Sequence, residues 1–364
     1  MSGPGAGPAA APSGSTDPLG PTSLSVVQVA LTDAFAGVER YVCQVAAGLA
    51  ARGHQVVAIG GDPRRMPAEL GSRVGYRPAA SLLRGAATLA RERHVDVVHV
   101  HMTAAEGAAW LARPVQHAPI VATRHFARDR GSSAVAHALA QITGRAISLD
   151  IAISRFVADS IAGPSVLLPN GVPDRPPALL ESNTVVMLQR LDEEKCPDVG
   201  IRAWSASGLG AQGWRLVVAG TGDLRPSLAR LAERLGTAES VEFAGQVVET
   251  DRLLAGSSVL LAPAPREPFG LSVVEAMAHG VPVVAARGGA HIETVGDDGL
   301  LFEPGDTVAA ARALVALSED VALRRRVGDR LRGRQQELFS LERHLDRLEL
   351  LYRDVIHAPG RERA

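Results

Sequence analysis

The chain has 364 residues, which is too long for one ordinary hydrophobic core and fits two domains of typical size. Its formal net charge of −1 excludes the basic excess that a general nucleic-acid binder usually carries. The two cysteines, Cys43 and Cys196, lie far apart and form no metal-type spacing, so no disulfide framework is expected and a reducing cytoplasm is the default location.

Residues 1–22 are rich in Gly, Pro, Ala and Ser. They lack a basic start and an apolar stretch, which indicates a disordered leader rather than a signal peptide. No apolar run in the sequence approaches the roughly 20 residues needed to span a bilayer, so no transmembrane segment is expected.

From residue 23 onward, short β-branched runs alternate with helical stretches rich in Ala, Leu and Arg. In the first half, strands are predicted at Leu24–Ala30, Gln55–Gly60, Val95–Val100, Pro119–Thr123, Asp150–Ile153 and Val166–Leu168. In the second half, they are predicted at Thr184–Leu188, Arg215–Ala219, Val241–Phe243, Val259–Ala262 and Pro282–Ala285. Strands that are apolar on both faces and separated by helices indicate parallel sheets covered on both sides.

A Pro/Gly cluster at residues 169–177 separates the halves and is typical of an interdomain linker. Near the end of the chain, residues 338–356 have leucines at helical spacing and predict a charged amphipathic helix. The sequence therefore predicts an α/β protein with two Rossmann-like, doubly wound parallel-sheet domains that face each other across a cleft. The first domain is expected over residues 23–170 and the second over 171–337.

Lys195 is the only lysine of the chain and follows Arg190 just after a predicted strand. A compact ammonium can approach a single oxygen closely, whereas arginine offers a planar fork of donors. The pair therefore indicates a cation site for phosphate. The alternative is a solvated surface lysine.

The segment Arg266–Met277 follows the strand Val259–Ala262, at the sheet edge where open α/β sheets bind ligands. Gly270 would let a ligand approach the backbone, and the first amides of the next helix would face an anion. Glu267 and Glu275 can reach the same cleft. For Glu275 an alternative stays open, because Ser272 and Glu275 have the spacing of a helix capping box. Glu267 could equally be an ordinary loop carboxylate.

Weaker signals lie at other strand ends. Gly220 and Gly222 follow a strand and suit either a phosphate loop or a plain turn. His99 and His101 share one face of a strand, but no third ligand is apparent, so a polar strand end is preferred to a metal site. Two groups of arginines in the first domain suggest a basic acceptor surface, although solvated helix faces are the commoner explanation: Arg84, Arg91 and Arg93, and Arg124, Arg128 and Arg130.

Glu267 and Glu275, eight residues apart around Pro-Phe-Gly-Leu-Ser, resemble the paired-glutamate motif of glycosyltransferase family 4. Four further segments resemble motifs of that family in the expected order: residues 36–40 (Ala-Gly-Val-Glu-Arg), 123–125 (Thr-Arg-His), 168–172 (Leu-Pro-Asn-Gly-Val) and 189–195 (Gln-Arg-Leu-Asp-Glu-Glu-Lys). The resemblance implies a retaining enzyme with the GT-B fold, in which the helix of residues 338–357 crosses back to the first domain.

The resemblance also implies roles in the second domain. Arg190 and Lys195 would stabilise the leaving diphosphate of a nucleotide-sugar donor, as a catalytic pair. Glu267 would hold hydroxyls of the transferred sugar, and Glu275 those of the donor ribose. The remaining expected donor contacts in this domain are Phe269, Gly270, Leu271, Gly220 and Gly222.

In the first domain, His125 would contact the transferred sugar, and Gly37 would let its loop approach the diphosphate. The sequence has no Asp-x-Asp pair, so no metal or other cofactor is expected, and protein cations would neutralise the leaving group. The expected partners are a nucleotide-sugar, with uridine favoured by the family, and a hydroxyl acceptor that the sequence does not identify. Peripheral contact with the inner face of a membrane is compatible with the first-domain arginines, and the oligomeric state stays open.

Three residues depart from the family pattern, because Ala36, Gln189 and Cys196 stand where glycine is common. Ala36 is expected to narrow the turn on the acceptor side. Two rival functions stay open: a nucleotide-sugar epimerase on the same scaffold, and a non-catalytic protein that binds sugar nucleotides. A nicotinamide-dependent dehydrogenase is excluded, because no Gly-x-Gly-x-x-Gly follows the first strand.

Overall fold

The computed structural model describes residues 23–127 and 141–358. The predicted leader, and Arg128 and Arg130 of the predicted basic surface, lie outside these ranges. Within them the chain forms two parallel sheets, each flanked by helices.

The first sheet has seven strands in the order β3-β2-β1-β4-β5-β6-β7. Its strands are β1 (Ser25–Ala30), β2 (Gln55–Gly60), β3 (Gly75–Arg77), β4 (Val97–His101), β5 (Ile120–Arg124), β6 (Ile147–Ala152) and β7 (Val166–Leu167). Its helices are α1 (Gly37–Ala51), α2 (Met66–Leu70), α3 (Leu82–Leu89), α4 (Thr103–Ala112) and α5 (Arg155–Ala158). The strand order reverses between β1 and β4, so their carboxyl ends flank a crevice.

The second sheet has six strands in the order β10-β9-β8-β11-β12-β13. Its strands are β8 (Thr184–Leu188), β9 (Arg215–Ala219), β10 (Val241–Gly245), β11 (Val259–Ala262), β12 (Val283–Ala286) and β13 (Leu300–Phe302). The helices that follow β8 are α6 (Pro197–Ser207), α7 (Arg225–Arg234), α8 (Thr250–Ala255), α9 (Leu271–Ala278), α10 (His291–Thr294), α11 (Thr307–Glu319), α12 (Val321–Leu338) and α13 (Leu341–His357). Here the order reverses between β8 and β11, which creates the matching crevice.

The predicted fold class is confirmed by these two doubly wound parallel sheets. Each of the eleven predicted strands is present, with ends shifted by up to three residues. Two strands were missed, β3 and β13. Both have only three residues and lie at a sheet edge, so they carry little of the apolar signal that marks a buried strand.

The last helix, α13, packs against α1 of the first sheet. Leu345 and Leu348 are buried in the first-sheet core, and an added Cβ at Gly48 would lie 2.5 Å from Leu345 Cδ1. The helix starts at Leu341 rather than at residue 338, because Ser340 caps it by accepting from the Arg343 amide. Among the described residues, no helix is long and apolar enough to cross a bilayer.

Candidate functional site

The two crevices face each other, and chain segments from both sheets converge between them. Gly37, the first residue of α1, lies opposite the start of α9, where an added Cβ would sit 3.9 Å from Leu271 Cδ2. The N-termini of two helices, with their outward amides and positive dipole ends, therefore border the same space. Such a space favours an anion.

Lys195 and Glu267 lie on the loops that follow β8 and β11, the two strands that flank the second crevice. Their side chains form an ion pair there. Lys195 Nζ lies 2.7 Å from Glu267 Oε2, with side chains only 14% and 17% exposed. The other oxygen of Glu267 accepts from the Gly270 amide at 3.2 Å. Burial raises the pKa of Glu267, but Lys195 and the Gly270 amide help to hold it below its ordinary value. The carboxylate is thus a fixed negative group held beside a cation.

Arg190 is held differently, because its side chain is half exposed. It pairs with Asp192 and Glu194 on its own loop. Exposed pairs of this kind contribute little stability, so the guanidinium can exchange its partners for a phosphate at small cost. Arg190 and Lys195 lie on one short loop, although the structure does not bring them into contact with each other.

Gly270 turns the chain from the β11 loop into α9. Its φ of 83° lies in the left-handed region, which a side chain would strain. Phe269 just before it is buried and stacks edge-on against Phe339, with ring centroids 5.9 Å apart. Phe269 therefore anchors the loop through its side chain, while Leu271 borders the cleft opposite Gly37.

Gly220 and Gly222 pack beneath the loop that carries Arg190. Added Cβ atoms would lie 1.9 Å from the Gln189 carbonyl oxygen and 2.3 Å from that of Leu191. The Leu191 amide also donates to the Thr221 carbonyl at 2.9 Å. These glycines are required for close backbone packing, which fixes the height of the Arg190 loop above the sheet.

The capping-box interpretation of Glu275 is wrong. The N-cap of α9 is Gly270, so Ser272 lies inside the first turn and cannot cap it. Glu275 instead points into the interdomain space, where its Oε1 lies 3.2 Å from Arg40 Nη1. Burial raises the pKa of Glu275, and the charge of Arg40 opposes that rise without overcoming it.

His125 follows β5 at the carboxyl end of the first sheet and is buried. Its Nε2 lies 3.0 Å from Nδ1 of His101, and burial lowers the pKa of His125 to about 3. His99 is also enclosed, with Nε2 2.7 Å from the Thr123 hydroxyl. The preferred polar strand end is therefore a buried hydrogen-bonded cluster. Arg124 is no part of a basic surface, because it is buried and paired with Glu106 and Asp150.

Three further residues border the interdomain space. Arg40, on α1, donates to the Thr250 hydroxyl at 2.5 Å as well as to Glu275. Glu293 accepts from the amides of Arg155 and Phe156 at 2.8 and 3.0 Å, which ties α10 to the first domain. His291 is buried with Nε2 beside Gly270. Arg40 belongs to the motif of residues 36–40, and Glu293 follows the glycine pair after β12, which the sequence predicts to line the donor side. Nothing in the sequence indicates His291.

The departures from glycine have different consequences. Ala36 has φ −132° and ψ −155°, an extended conformation that any residue adopts, so the alanine imposes no backbone strain here. Cys196 has φ 46°, in the left-handed region, where a non-glycine residue costs about 1–2 kcal/mol. The site thus keeps its glycine-type geometry at residue 196 despite the substitution.

In chemical terms the cleft offers a cationic rim, a fixed carboxylate and two helix N-termini. Within residues 23–127 and 141–358, no group of three or more His, Cys, Asp or Glu side chains is arranged to hold a metal ion. The arrangement can bind a polyanion by protein cations and amides, and a polyol by carboxylates and the imidazole of His125.

Comparisons with known proteins agree with this chemistry. Residues 35–175 match the family model described as Glycosyltransferase Family 4, and residues 182–320 match the one described as Glycosyl transferases group 1. The phosphatidyl-myo-inositol mannosyltransferase of Mycobacterium leprae is 30% identical over 328 residues, which cover 81% of this chain and 87% of that protein.

An exopolysaccharide phosphotransferase of Streptomyces coelicolor is 36% identical over 169 residues, and the match covers 45% of this chain but only 18% of that protein. Among solved structures, Anabaena HepE in complex with UDP and glucose is similar with a TM-score of 0.77 and 19% identity, over 90% of this chain and 99% of that one. This likeness and the two facing sheets confirm the GT-B fold.

Proposed function

This chain belongs to glycosyltransferase family 4, and we propose that it transfers a hexosyl group, with retention, from a UDP-sugar to a hydroxyl acceptor without a metal ion. The observation that carries the proposal is the enclosed Lys195–Glu267 pair at the ends of the two strands that flank the second crevice. It places one cation and one fixed carboxylate side by side. A sugar diphosphate needs the same two groups, a cation for the diphosphate and an acceptor for sugar hydroxyls.

In the proposed reaction, the bond between the anomeric carbon and the diphosphate oxygen breaks while the acceptor hydroxyl approaches from the same face. Negative charge grows on the leaving oxygen, where Lys195 and Arg190 stabilise it together with the amides of α9. The departing diphosphate takes the proton of the acceptor hydroxyl. No carboxylate nucleophile is needed, and Glu267 is oriented for hydrogen bonding by Lys195 and Gly270.

The position of Glu275 on α9 suggests its contact with the donor. Glu275 lies one turn further along α9 than the diphosphate amides, which suits the ribose hydroxyls. In the structure its carboxylate accepts from Arg40, so ribose binding would replace or share this contact. Since Arg40 belongs to the first domain, donor binding is coupled to the interdomain geometry.

Two rival functions remain distinguishable by product. An epimerase would release an epimerised nucleotide-sugar, whereas a transferase without acceptor would slowly hydrolyse the donor to the free sugar. A non-catalytic binder would do neither. The intact set of Arg190, Lys195, Glu267 and Glu275 favours the enzyme, because binding alone does not require a cation beside the breaking bond.

Nucleotide binding gives the direct test of the donor. Thermal unfolding would be followed with a panel of nucleotides and nucleotide-sugars, in a chelator and without added metal. A ligand at ~100 times its dissociation constant stabilises the folded state by about 2.7 kcal/mol, which raises the midpoint visibly. We expect uridine diphosphates to do so and Glu275→Ala to weaken the shift. No shift with any nucleotide at millimolar concentration would contradict the proposed donor site.

The acceptor side has a surface that suits a membrane. Helices α3 and α4 pack together, and apolar side chains on both are exposed, including Leu83 at 73% and Trp110 at 41%. Arg84, Arg91 and Arg93 are exposed nearby in sequence. We propose peripheral contact of this surface with anionic lipid, since each arginine near such a surface contributes about 1 kcal/mol.

Vesicle co-sedimentation tests this surface. We expect binding to vesicles of phosphatidylglycerol and phosphatidylcholine, and none to phosphatidylcholine alone. The double variant Leu83→Ser/Trp110→Ser should lose it, whereas Val308→Ser, an exposed apolar residue of the second domain, should not. Equal binding by both variants would place the membrane contact on another surface. No binding by the unmodified chain would exclude the contact.

A further inference from the structure

The backbone that carries Glu267 packs against the loop that follows β12. The Ala290 amide donates to the Glu267 carbonyl at 2.8 Å. An added Cβ at Gly289, whose φ is 53°, would lie 2.5 Å from the same carbonyl oxygen and 2.6 Å from the Glu267 amide nitrogen. A side chain at Gly289 would therefore collide with that backbone. The loop after β12 thus sets the position of the segment of residues 265–270 (the Glu267 loop).

Helix α10 follows directly and is attached to the first domain through Glu293. The two oxygens of its carboxylate accept from the amides of Arg155 and Phe156 at 2.8 and 3.0 Å. These are the first amides of α5, which have no partner within their own helix. Since both oxygens of Glu293 are engaged by α5, this residue supports the donor side from outside and does not line it.

Ser154, the residue before α5, makes a second contact between the domains. Its hydroxyl donates to the Pro268 carbonyl at 2.6 Å, one residue after Glu267. The same oxygen accepts from the Val157 amide at 3.1 Å, which caps α5. Ser154 is buried, so the side chain is held in this arrangement on all sides. One hydroxyl thereby joins the start of α5 to the Glu267 loop.

Helix α5 is itself fixed by apolar packing. It follows β6 of the first sheet, but Ile153 and Val157 are buried in the same apolar cluster as Phe269 and the strands of the second sheet. The apolar side chains hold α5 in place, and its polar start contacts the Glu267 loop. A site that is supported by packed elements keeps its geometry more precisely than one on unsupported loops.

We propose that Ser154 and Glu293 are positioning residues that together hold the Glu267 loop, so that the carboxylate of this loop stays where the transferred sugar binds. Ser154 acts on the loop at Pro268. Glu293 acts through α10 and the Ala290 amide. Both act through the loop and not on the donor itself. The effect on catalysis rests on the proposed function, whereas the support of the loop by α5 does not.

Hydrogen exchange of backbone amides tests this support in the free protein. The Gly270 amide donates to the Glu267 carboxylate and the Ala290 amide to its carbonyl, so both report on the loop. We expect both to exchange about tenfold faster in Ser154→Ala, the effect of one lost hydrogen bond. Ser160→Ala is the matched control, because the Ser160 hydroxyl donates to a carbonyl of α5 and not to the second domain. Unchanged exchange in Ser154→Ala, or equal acceleration in the control, would overturn the proposal whatever the enzyme transfers.

Glu293→Gln tests the other contact and leaves the Ser154 cap of α5 intact, so it also carries the test if Ser154→Ala does not fold. The glutamine keeps one accepting oxygen, so one amide of α5 loses its partner. We expect faster exchange of the Ala290 amide, and none in Glu303→Gln, which removes an exposed carboxylate of the same domain. The double variant Ser154→Ala/Glu293→Gln should show less than the sum of the two effects, because both residues act on one loop. Fully additive effects would contradict a shared role.

Kinetics test whether the support serves the reaction. A misplacement of about 1 Å can cost about 10²-fold in rate, so kcat should fall about 10- to 100-fold in Ser154→Ala. The affinity for UDP, measured by titration, should stay unchanged, because Lys195, Arg190 and Glu275 are proposed to hold the nucleotide and are not altered. A parallel loss of kcat and UDP affinity, or an unchanged kcat, would overturn the positioning role. An absence of turnover in the unmodified chain would instead count against the proposed function, and the exchange result would still decide whether α5 supports the loop.

Discussion

Replacing Lys195 by Met should lower kcat by about 10²- to 10³-fold, the usual cost of removing one group that stabilises transition-state charge. The ammonium is mostly enclosed and lies where leaving-group charge would develop, and Arg190 alone is too exposed to replace it. The measurement is steady-state turnover with the donor that the nucleotide panel identifies. Arg202→Gln is the control, because Arg202 is an exposed arginine on α6, the next helix. A loss below about threefold in Lys195→Met would exclude Lys195 from the chemistry.

A structural role for Lys195 has to be separated from a catalytic one, because its removal also leaves Glu267 buried without its cation. Binding of UDP makes the separation, since Glu267 is proposed to contact the sugar and not the nucleotide. Loss of a hydrogen bond to a charged group costs about 1.5–3 kcal/mol, so Lys195→Met should weaken UDP binding roughly 10- to 150-fold. Glu267→Gln should leave UDP binding unchanged or tighter. The double variant Lys195→Met/Glu267→Gln should still bind UDP weakly. If its UDP affinity recovered, the role of Lys195 would be only to neutralise Glu267.

Much of the fold was predictable because it rests on buried patterns. Parallel strands that are apolar on both faces stand out against helices, which is why β8 and β11 were placed without error in their bounds. From two such strands the ligand edge follows, and with it the loops of Lys195 and Glu267. The short edge strands failed for the converse reason, since three half-buried residues carry no periodic signal.

The contacts within the site were not predictable to the same degree. Ser272 and Glu275 fit a capping box by spacing, but the left-handed Gly270 is the N-cap and the helix starts at Leu271, which leaves Glu275 to meet Arg40 across the cleft. That meeting depends on how two domains dock. The bond between Gln28 and Tyr352, beside the buried histidine cluster, depends on the docking of α13, because 324 residues separate the two partners.

The same buried histidines should make the fold sensitive to acid. Burial lowers the pKa of His125 to about 3 and that of His344 to about 4, against about 6.5 for an unfolded histidine. The folded state therefore binds these protons more weakly than the unfolded state does. The stability that the neutral rings contribute is fully present above about pH 6.5 and is lost as the pH falls toward the folded-state values.

When the pH is lowered from about 8 to 5, each of these two histidines should reduce the free energy of unfolding by about 2 kcal/mol. Urea unfolding at the two pH values measures the total loss, and variants of α13 isolate one share of it. His344→Gln cannot be protonated, so its loss should be smaller than that of the unmodified chain by about 2 kcal/mol. His357→Gln removes an exposed histidine from the same helix and should leave the loss unchanged. Equal acid sensitivity in His344→Gln and the unmodified chain would mean that His344 is not held neutral by burial.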